Sequence, residues 1–568
     1  MNGASLLRNV QLFAGLSGDL LEQLASHLGE RHVEAGDWVL RRGERADCLF
    51  VVRSGRIEVV DEGPPEVLVR VLRRGAVLGE LAVLGEGVRS ASARARRDTD
   101  LLVLDRASFE ALILGAPSFA LALTRAMAAQ LAATLAPLAT PELPRTVAVL
   151  GLDPGAPAAD VADSLVRELG RHGSVAVLSS GGLAAIEQAE ADVDKVVLRG
   201  GSDPAEEWTR TCLHDADLVI AVTRGTPTRE WLAQTGALHG CELLVLGSAL
   251  PADTLELLAP REMQVIPEPA RADAIAALAR RLYGRSPGVV MSGGGARALA
   301  HLGVIEELRA AGLQFDRVAG VSLGSVVAAA TAAGFTTEEM YETFERGFVA
   351  TNPTNDYVPP AYAMLRGAKT RKLIEESLGD RLIEELPLRF FCVSCDLIRR
   401  EAVVLRAGPV STAVYASLAI PGVFPPVATE DGRLLVDGGV LDNLPVETMA
   451  ATGVGPVIAV DVSGRSGQFS RDGRRAFAPL SRSLRHALTG FEHKIPRLGE
   501  TIVRSMLVGS SDTVAASRRH ADLTITPQVD GIGLLEWKAL PRARELGRRA
   551  THEALAAAAG DLHERLGL

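Results

Sequence analysis

A serine in a glycine-flanked turn is the first group of this chain that could carry out covalent chemistry. The segment reads Gly320-Val321-Ser322-Leu323-Gly324, which has the form G-x-S-x-G. An apolar run, VAGV, leads into the serine, and an alanine-rich helical pattern follows it. A serine at such a strand-to-helix turn projects its hydroxyl clear of the sheet, and the helix amino terminus adds positive potential. The short pattern also occurs by chance, so it indicates a nucleophile only when partners accompany it.

Three consecutive glycines lie upstream, at another junction between a predicted strand and a predicted helix. The candidate oxyanion hole comprises Gly293, Gly294, Gly295, Ala296 and Arg297. Acyl transfer develops an oxyanion that preorganised N–H donors stabilise, and a glycine turn presents its N–H groups without side-chain obstruction.

The same glycine turn also fits a dinucleotide-binding pattern. Gly293-x-Gly295-x-x-Ala298 matches G-x-G-x-x-G/A, and Asp316 lies near the distance expected for a residue that contacts a ribose. We favour the oxyanion hole, because a nucleophile-type turn follows the next predicted strand.

A carboxylate that follows a predicted strand could supply the base. The segment reads Leu435-Val436-Asp437-Gly438-Gly439. An aspartate there can accept a serine proton if it is desolvated and within hydrogen-bond contact. An Asp-Gly pair also forms ordinary turns, so this segment by itself assigns no role.

Together and in this order, the three motifs resemble those of the patatin-like phospholipase family. The segments YASLAIPGVFPPV and LVDGGVLDNLPVE extend the resemblance to its neuropathy target esterase branch, over residues 286–568. The resemblance implies an α/β catalytic domain with a Ser–Asp dyad, in which Ser322 is the nucleophile and Asp437 the base. It assigns the oxyanion hole to the N–H groups of Gly294 and Gly295, with Ala296 as a further candidate.

The resemblance also implies an activity. It predicts hydrolysis of a lysophospholipid, a phospholipid or another carboxylic ester through an acyl-enzyme, with no metal or cofactor in catalysis. One departure is Ala298, where the family's glycine pattern usually ends in glycine. We expect this alanine to affect the packing of the helix against the strand more than the catalytic rate.

Two alternatives remain open. An α/β-hydrolase triad would need a histidine after the acid, yet none of the available ones has a recognisable strand-loop context: His486, His493, His520, His552 and His563. His301, on the helix after the glycine turn, is more typical of packing. The rival from another class is a cyclic-nucleotide-sensing scaffold with an inactive hydrolase domain, against which the intact motifs argue.

The first part of the chain carries a second candidate site. Strand-like runs separated by glycines predict a β-roll, and residues 12–113 resemble the cyclic nucleotide-binding family. Its phosphate-binding cassette corresponds to Gly79, Glu80, Leu81, Ala82, Arg89 and Ser90. The arginine would bind the phosphate and the glutamate a ribose hydroxyl. The resemblance implies cyclic AMP or cyclic GMP as a regulator, although a surface ion pair in a docking or dimerisation module fits the same residues.

The elements that must position these sites fall into three predicted domains. They are a cyclic nucleotide-binding-type β-roll (1–135), a Rossmann-like α/β spacer (145–284) and an α/β patatin-like domain (286–568). The spacer is predicted from strands that alternate with helices, and it lacks the GK[ST] of a phosphate-binding loop. The Cys392-x-x-Cys395 motif lies inside a predicted strand, which favours packing over redox chemistry.

Composition limits the partners and the compartment. The 568 residues carry a net charge of −10, which argues against a general nucleic-acid binder. Five cysteines and no apparent signal peptide predict a cytoplasmic protein. The apolar segment 116–139 predicts a buried helix or a helix of a homo-oligomer interface rather than a membrane span. Basic stretches at 471–485 and 542–549 could contact anionic lipid at the inner membrane face, although solvated surfaces are favoured.

Overall fold

The chain folds into two units, Met1–Gly284 and Arg285–Leu568, in a computed structural model. The structure describes residues 18–26, 28–62, 67–80, 88–96, 98–115, 143–233, 240–247, 250–359, 363–463, 509–558 and 560–566, together with Leu7, Val10, Phe13, Val83 and Leu238. The finer division of the first unit, between residues 135 and 145, stays a prediction.

Two four-stranded antiparallel sheets form the β-roll of the first unit. Its helices are α1 (Gly18–Ser26) and α2 (Arg106–Gly115), and its strands are β1 (Gly29–Val33), β2 (Trp38–Leu40), β3 (Cys48–Ser54), β4 (Ile57–Asp61), β5 (Val67–Leu72), β6 (Val77–Leu78), β7 (Ser92–Ala95) and β8 (Thr99–Asp105). The sheet orders are β1-β8-β3-β6 and β2-β7-β4-β5. Apolar side chains that alternate along these strands form the core, as the sequence predicted.

A six-stranded parallel sheet follows in the same unit. Its strands are β9 (Thr146–Gly151), β10 (Val175–Leu178), β11 (Lys195–Arg199), β12 (Leu218–Thr223), β13 (Glu242–Val245) and β14 (Glu262–Val265), in the order β10-β11-β9-β12-β13-β14. Helices cover it: α3 (Ala158–Leu169), α4 (Leu183–Asp192), α5 (Glu207–Asp215), α6 (Arg229–Ala233), α7 (Ala252–Leu258) and α8 (Arg271–Leu282). Separate apolar cores lie on its two faces, which agrees with the apolar sequences of its central strands β9 and β12.

The second unit is built on a mixed eight-stranded sheet. Its strands are β15 (Gly288–Met291), β16 (Arg317–Gly320), β17 (Arg389–Asp396), β18 (Glu401–Leu405), β19 (Val427–Ala428), β20 (Leu434–Asp437), β21 (Val457–Val460) and β22 (Leu523–Ile525). The order is β19-β20-β17-β16-β15-β21-β22, and β18 pairs with β17. Strands β15, β16, β17, β21 and β22 are parallel.

Helices surround this sheet. They are α9 (Ala300–Ala310), α10 (Leu323–Ala332), α11 (Thr337–Phe344), α12 (Ala368–Leu378), α13 (Val410–Leu418), α14 (Val446–Ala450), α15 (Ser511–Ser517), α16 (Leu540–Ala557) and α17 (Gly560–Leu566). Helix α10 is buried along its whole length. In the described part of the chain, no helix combines the length and apolarity needed to cross a bilayer, and segment 116–139 lies outside that part.

Candidate active site

The three candidate motifs meet because strand register brings the ends of their strands together. Met291 pairs with Gly320, and Gly320 pairs with Cys392, so β15 and β16 end at the same level of the sheet. Strand β17 continues past that level, and there Ser394 pairs with Asp437. The glycine turn, the serine turn and the acid therefore lie at one edge of the sheet.

Ser322 occupies a sharp turn between β16 and α10. Its φ of 53° and ψ of −132° place a non-glycine residue in a strained backbone conformation, of the kind that clusters at active sites. Its N–H donates to Ser417 Oγ at 3.1 Å. Gly324 must be glycine, because a Cβ there would lie 2.5 Å from the carbonyl oxygens of Met291 and Ser292. A Cβ at Gly320 would overlap the Gly324 backbone in the same way.

Asp437 is completely buried beside the serine. Its N–H donates to the Ala419 carbonyl at 2.9 Å, and its Oδ1 accepts the Gly439 N–H at 2.8 Å. Burial raises the pKa of this carboxyl to about 7, while the Ser322 hydroxyl and the Gly439 N–H oppose that rise. Glycine is required at Gly438, since a Cβ there would overlap the backbone of β17.

The second carboxylate oxygen of Asp437 is the one that could accept the serine proton. No donor among the described residues is in hydrogen-bond geometry with Oδ2, although the Ser322 hydroxyl lies close enough to lower the carboxyl's pKa. Catalytic hydrogen bonds are often long without substrate and shorten in the reacting complex. The arrangement can therefore transfer a proton from Ser322 to Asp437.

The glycine turn contacts the serine directly. A Cβ added to Gly293 would lie 2.9 Å from Ser322 Cβ. Three of the five candidate N–H groups are already occupied: Gly293 donates to Asn443 Oδ1, Ala296 to the Leu534 carbonyl and Arg297 to the Gly294 carbonyl. Within the described residues, the N–H groups of Gly294 and Gly295 have no acceptor. These two N–H groups therefore stay as the candidate donors of the predicted oxyanion hole.

Arg297 supports the turn through its side chain. The guanidinium is largely buried, and it donates to the carbonyls of Ile532 at 2.9 Å and Ser463 at 3.1 Å. These bonds tie the glycine turn to two later segments of the chain. The contacts of Arg297 are those of a residue that holds the turn in place.

Two polar residues that sequence reasoning did not single out complete the site. The buried Asn443 accepts the Gly293 N–H at 3.2 Å and donates to the Gly293 carbonyl at 3.3 Å. The buried Ser417 accepts the Ser322 N–H and donates to the Val393 carbonyl at 2.7 Å. Both lie in the segments that carried the family resemblance, and that was the only available signal.

No histidine of the described residues bonds to Ser322 or Asp437. His301 is fully buried, and burial lowers its pKa to about 4, so its neutral Nε2–H donates to the Ser292 carbonyl at 2.9 Å. His520 and His552 lie beside Glu447 and Glu307. His486 and His493 and the His563 side chain lie outside the described part of the chain. These contacts favour a dyad.

Other candidate groups are structural. Cys392 and Cys395 lie inside β17, and burial raises the pKa of both thiols, which suits packing rather than redox chemistry. Among the described residues no cluster of ligands could hold a metal ion.

The cyclic-nucleotide cassette places its two charged residues inside the β-roll. Arg89 is buried; it donates to the Gly79 carbonyl at 3.2 Å and lies over the Phe50 ring. Glu80 is also buried, and within the described residues no ion pair joins it to Arg89. Burial does not fit a surface ion pair. Ser90 is exposed, and Leu81 and Ala82 lie outside the described residues.

The strand order of the parallel sheet in the first unit reverses between β9 and β12, the place where related sheets bind ligands. There the carboxylate of Asp153 accepts from the Thr223 hydroxyl at 2.7 Å and from the N–H groups of Arg224 and Gly155. Burial alone would raise the pKa of Asp153, but these donors hold it below its usual range. A second anion would be repelled by this carboxylate, and the spacer role stays a prediction.

Comparison with known proteins identifies the class of two parts of the chain. Residues 289–450 match the family described as patatin-like phospholipase, and residues 30–115 match the cyclic nucleotide-binding domain. Both predicted resemblances are confirmed.

The full-length relatives give the particular family. An uncharacterized NTE family protein of Mycobacterium tuberculosis (strain CDC 1551 / Oshkosh) is 34% identical over 97% of this chain and 96% of that protein. The chain belongs to the NTE family.

More distant similarities cover parts of longer or shorter proteins. Lysophospholipase nte1 of Aspergillus fumigatus is 25% identical over 91% of this chain, which spans 41% of that protein. The N-terminal domain of a transcriptional regulator from Streptomyces coelicolor A3(2) is 29% identical over 23% of this chain and 92% of that chain, with a TM-score of 0.21.

Proposed function

We propose that this protein is a serine acyl hydrolase that cleaves lysophospholipid or phospholipid esters with a Ser322–Asp437 dyad. The observation that carries the proposal is a strained serine beside a buried carboxyl whose pKa is raised to about 7. Two N–H groups of the adjacent glycine turn have no acceptor within the described residues. Nucleophile, base and oxyanion donors are the three parts that acyl transfer requires.

The proposed reaction uses these three parts in turn. Ser322 Oγ attacks the ester carbonyl while Asp437 takes the hydroxyl proton. The N–H groups of Gly294 and Gly295 stabilise the tetrahedral oxyanion, and Asp437 then protonates the departing alcohol. Water, deprotonated by Asp437, attacks the acyl-enzyme, and the fatty acid leaves with Ser322 regenerated. A base with a pKa near neutrality suits both directions of proton transfer.

A small apolar pocket of about 20 Å³ lies along the helix that Ser322 begins, and it would have to widen to accept a lipid acyl group. Two of its residues follow Ser322 by four and eight positions, so they lie on one face of the helix that the serine begins. Side chains from α10, α11, the π-helical turn Glu345–Ala350 and α12 line it, among them Val326, Ala330, Phe344, Phe348 and Leu373. Fungal relatives carry the name lysophospholipase, which favours the same substrate class.

Hydrolysis of lysophosphatidylcholine tests the proposal. We expect Ser322→Ala to abolish fatty-acid release, while Ser411→Ala, at a half-buried serine of the same unit, retains it. Both should keep the wild-type circular dichroism spectrum. Equal release by Ser322→Ala and wild type would refute the proposal. No release by a folded wild-type protein would favour the inactive scaffold.

The β-roll adds a proposed regulatory input by cyclic AMP or cyclic GMP. Arg89 and Glu80 supply the charges that the phosphate and the ribose require, and the family match covers both. Isothermal titration of the full chain with each nucleotide tests binding. Binding heat that is lost in Arg89→Gln but kept in a variant of the exposed Arg171 would support cyclic-nucleotide binding. No heat at millimolar ligand would leave a docking module.

A further inference from the structure

The edge of the catalytic sheet that holds Ser322 also carries an unusual set of exposed apolar side chains. Five large apolar residues of the second unit are strongly exposed among those described, and all lie on loops around this edge: Tyr357, Leu397, Ile398, Leu441 and Leu535. Single exposed apolar residues are ordinary on protein surfaces. Five of them at one edge of the sheet, near one site, indicate a common role.

The β17–β18 hairpin projects furthest from this edge. Strand β17 extends from Val393 to Asp396 beyond its last pair with β16, which is about 13 Å at ~3.3 Å per residue. The tip reads Leu397-Ile398-Arg399-Arg400, with Leu397 44% and Ile398 63% exposed and both arginines exposed. The hairpin thus holds two apolar side chains and two cations in front of the sheet edge. Arg399 Nε lies 4.0 Å from Asp396 Oδ2, at the outer limit of an ion pair, and its side chain is 45% exposed.

The tip is held in a defined conformation. Asp396 Oδ1 accepts the Ile398 N–H at 2.9 Å, and the Asp396 carbonyl accepts the Arg400 N–H at 2.8 Å. The Leu397 N–H donates to the Leu434 carbonyl at 3.0 Å, which ties the tip to β20 and hence to the strand of Asp437. The apolar side chains therefore point outward on a fixed support.

The other exposed residues surround the catalytic groups. Leu441 follows Asp437 by four residues, and Leu535 follows Leu534, whose carbonyl accepts the Ala296 N–H of the glycine turn. Tyr357 forms a bridge with Leu365, whose apolar cluster includes Leu534 and Ala419. These contacts connect the three loops to the segments that carry the glycine turn and Asp437.

The geometry points to this edge as a docking surface for a phospholipid bilayer or micelle. The apolar tips would enter the boundary of the acyl chains, and Arg399 and Arg400 would contact the phosphates of the headgroups. Docking there brings ester bonds to Ser322, so the inference rests on the proposed lipid substrate. It also differs from the predicted contact at 542–549, because Arg544 and Arg548 lie in ion pairs with Glu306; the other basic stretch, 471–485, lies outside the described residues.

Vesicle binding by the full-length Ser322→Ala protein tests the surface without any turnover. The probe is phosphatidylcholine vesicles that contain some phosphatidylglycerol, with bound protein measured by sedimentation. We expect Leu397→Ser and Ile398→Ser each to weaken partitioning by about tenfold, since each removes a buried apolar side chain from the complex. Leu257→Ser, at a leucine of the first unit that is 53% exposed, should bind like the parent.

A second arm separates docking from chemistry. When the native Ser322 is present, the variants Leu397→Ser and Ile398→Ser should hydrolyse a short water-soluble ester at the wild-type rate. They should lose activity on lysophospholipid held in vesicles. Vesicle binding without any hydrolysis would refute the proposed function and leave the docking surface standing. Tip variants that partition like the parent, or a parent that does not bind vesicles, would overturn the inference. So would tip variants whose only effect is to dissociate a dimer in light scattering.

Discussion

At the scale of single residues, the burial of Asp437 determines how activity should depend on pH. The carboxylate can accept the Ser322 proton only when it is ionised, and burial raises its pKa to about 7. We therefore expect kcat/KM to rise about tenfold per pH unit below pH ~7 and to level off above it. Initial rates on a soluble ester between pH 5 and 9 measure this. A flat profile across that range would contradict the role of Asp437.

The same burial predicts an effect on stability. The carboxyl's pKa is 3.8 without burial and about 7 in the fold. Below pH 3.8 the carboxyl is neutral in both the folded and the unfolded chain, so folding buries no charge. As pH rises, the carboxyl ionises first in the unfolded chain. The free energy of unfolding therefore falls until pH passes the pKa of the folded state. We expect Asp437→Asn, which cannot ionise, to gain stability relative to wild type by a few kcal/mol, on the order set by ~1.4 kcal/mol per pKa unit.

Urea denaturation of the two proteins at pH 5 and pH 8 measures that difference. The advantage of Asp437→Asn should grow between the two pH values, although the variant is inactive at both. A difference that does not change with pH would mean that the carboxyl is ionised without cost.

At the scale of structural elements, loops that are distant in sequence fix the oxyanion turn. Asn443 lies 150 residues from Gly293 and bonds both its N–H and its carbonyl. In Asn443→Ala the turn loses this support, and we expect kcat to fall by about 10- to 100-fold, because donors displaced from the oxyanion lose most of their effect. KM should change little, because both polar atoms of the Asn443 side chain are engaged with Gly293.

Steady-state kinetics of the folded variant, beside the exposed-residue control Asn355→Ala, test this positioning role. A rise in KM at unchanged kcat would contradict it. If the variant only folds less well, the fraction of active enzyme should fall while kcat per active site stays unchanged. Titration of the reactive serine measures that fraction.

The sequence predicted the local motifs of the site better than the hydrogen bonds that join distant segments. The G-x-S-x-G turn, the Asp-Gly-Gly segment and the glycine turn were recognisable because each needs special backbone geometry in few residues. Asn443 and Ser417 were missed because their roles depend on strand register between segments 150 and 95 residues apart. The N–H groups of Gly294 and Gly295 are left as candidate donors because later segments of the chain accept hydrogen bonds from Gly293 and Ala296. Sequence patterns do not reveal such long-range contacts.

At the scale of the whole molecule, a buried ionic contact joins the β-roll to the parallel sheet within the first unit. Asp217 accepts from Arg56 at 2.8 Å, and Arg73 lies 3.1 Å away. Burial alone would raise the pKa of Asp217, but the two arginines and the backbone N–H groups hold it low. Sequence patterns could not reveal this contact, because an arginine and an aspartate 161 residues apart have no local signal.

Removing one partner of this contact should loosen the first unit. Asp217→Ala leaves Arg56 buried without its counter-charge, which typically costs about 3–5 kcal/mol. Glu376→Ala, which removes an exposed i,i+4 pair with Lys372, should cost under ~0.5 kcal/mol. Thermal unfolding and hydrogen exchange of residues 54–57 and 215–218 measure both. Equal stability of the two variants would contradict a structural role for the contact.

The dyad itself is tested most directly by a fluorophosphonate probe and peptide mass mapping of the full chain. We predict one phosphonylated residue, Ser322, whose labelling rate falls with the ionised fraction of Asp437 below pH ~7. Asp437→Asn should label far more slowly at every pH. Labelling at another serine, or an unlabelled Ser322 in a protein that still hydrolyses lysophosphatidylcholine, would contradict it.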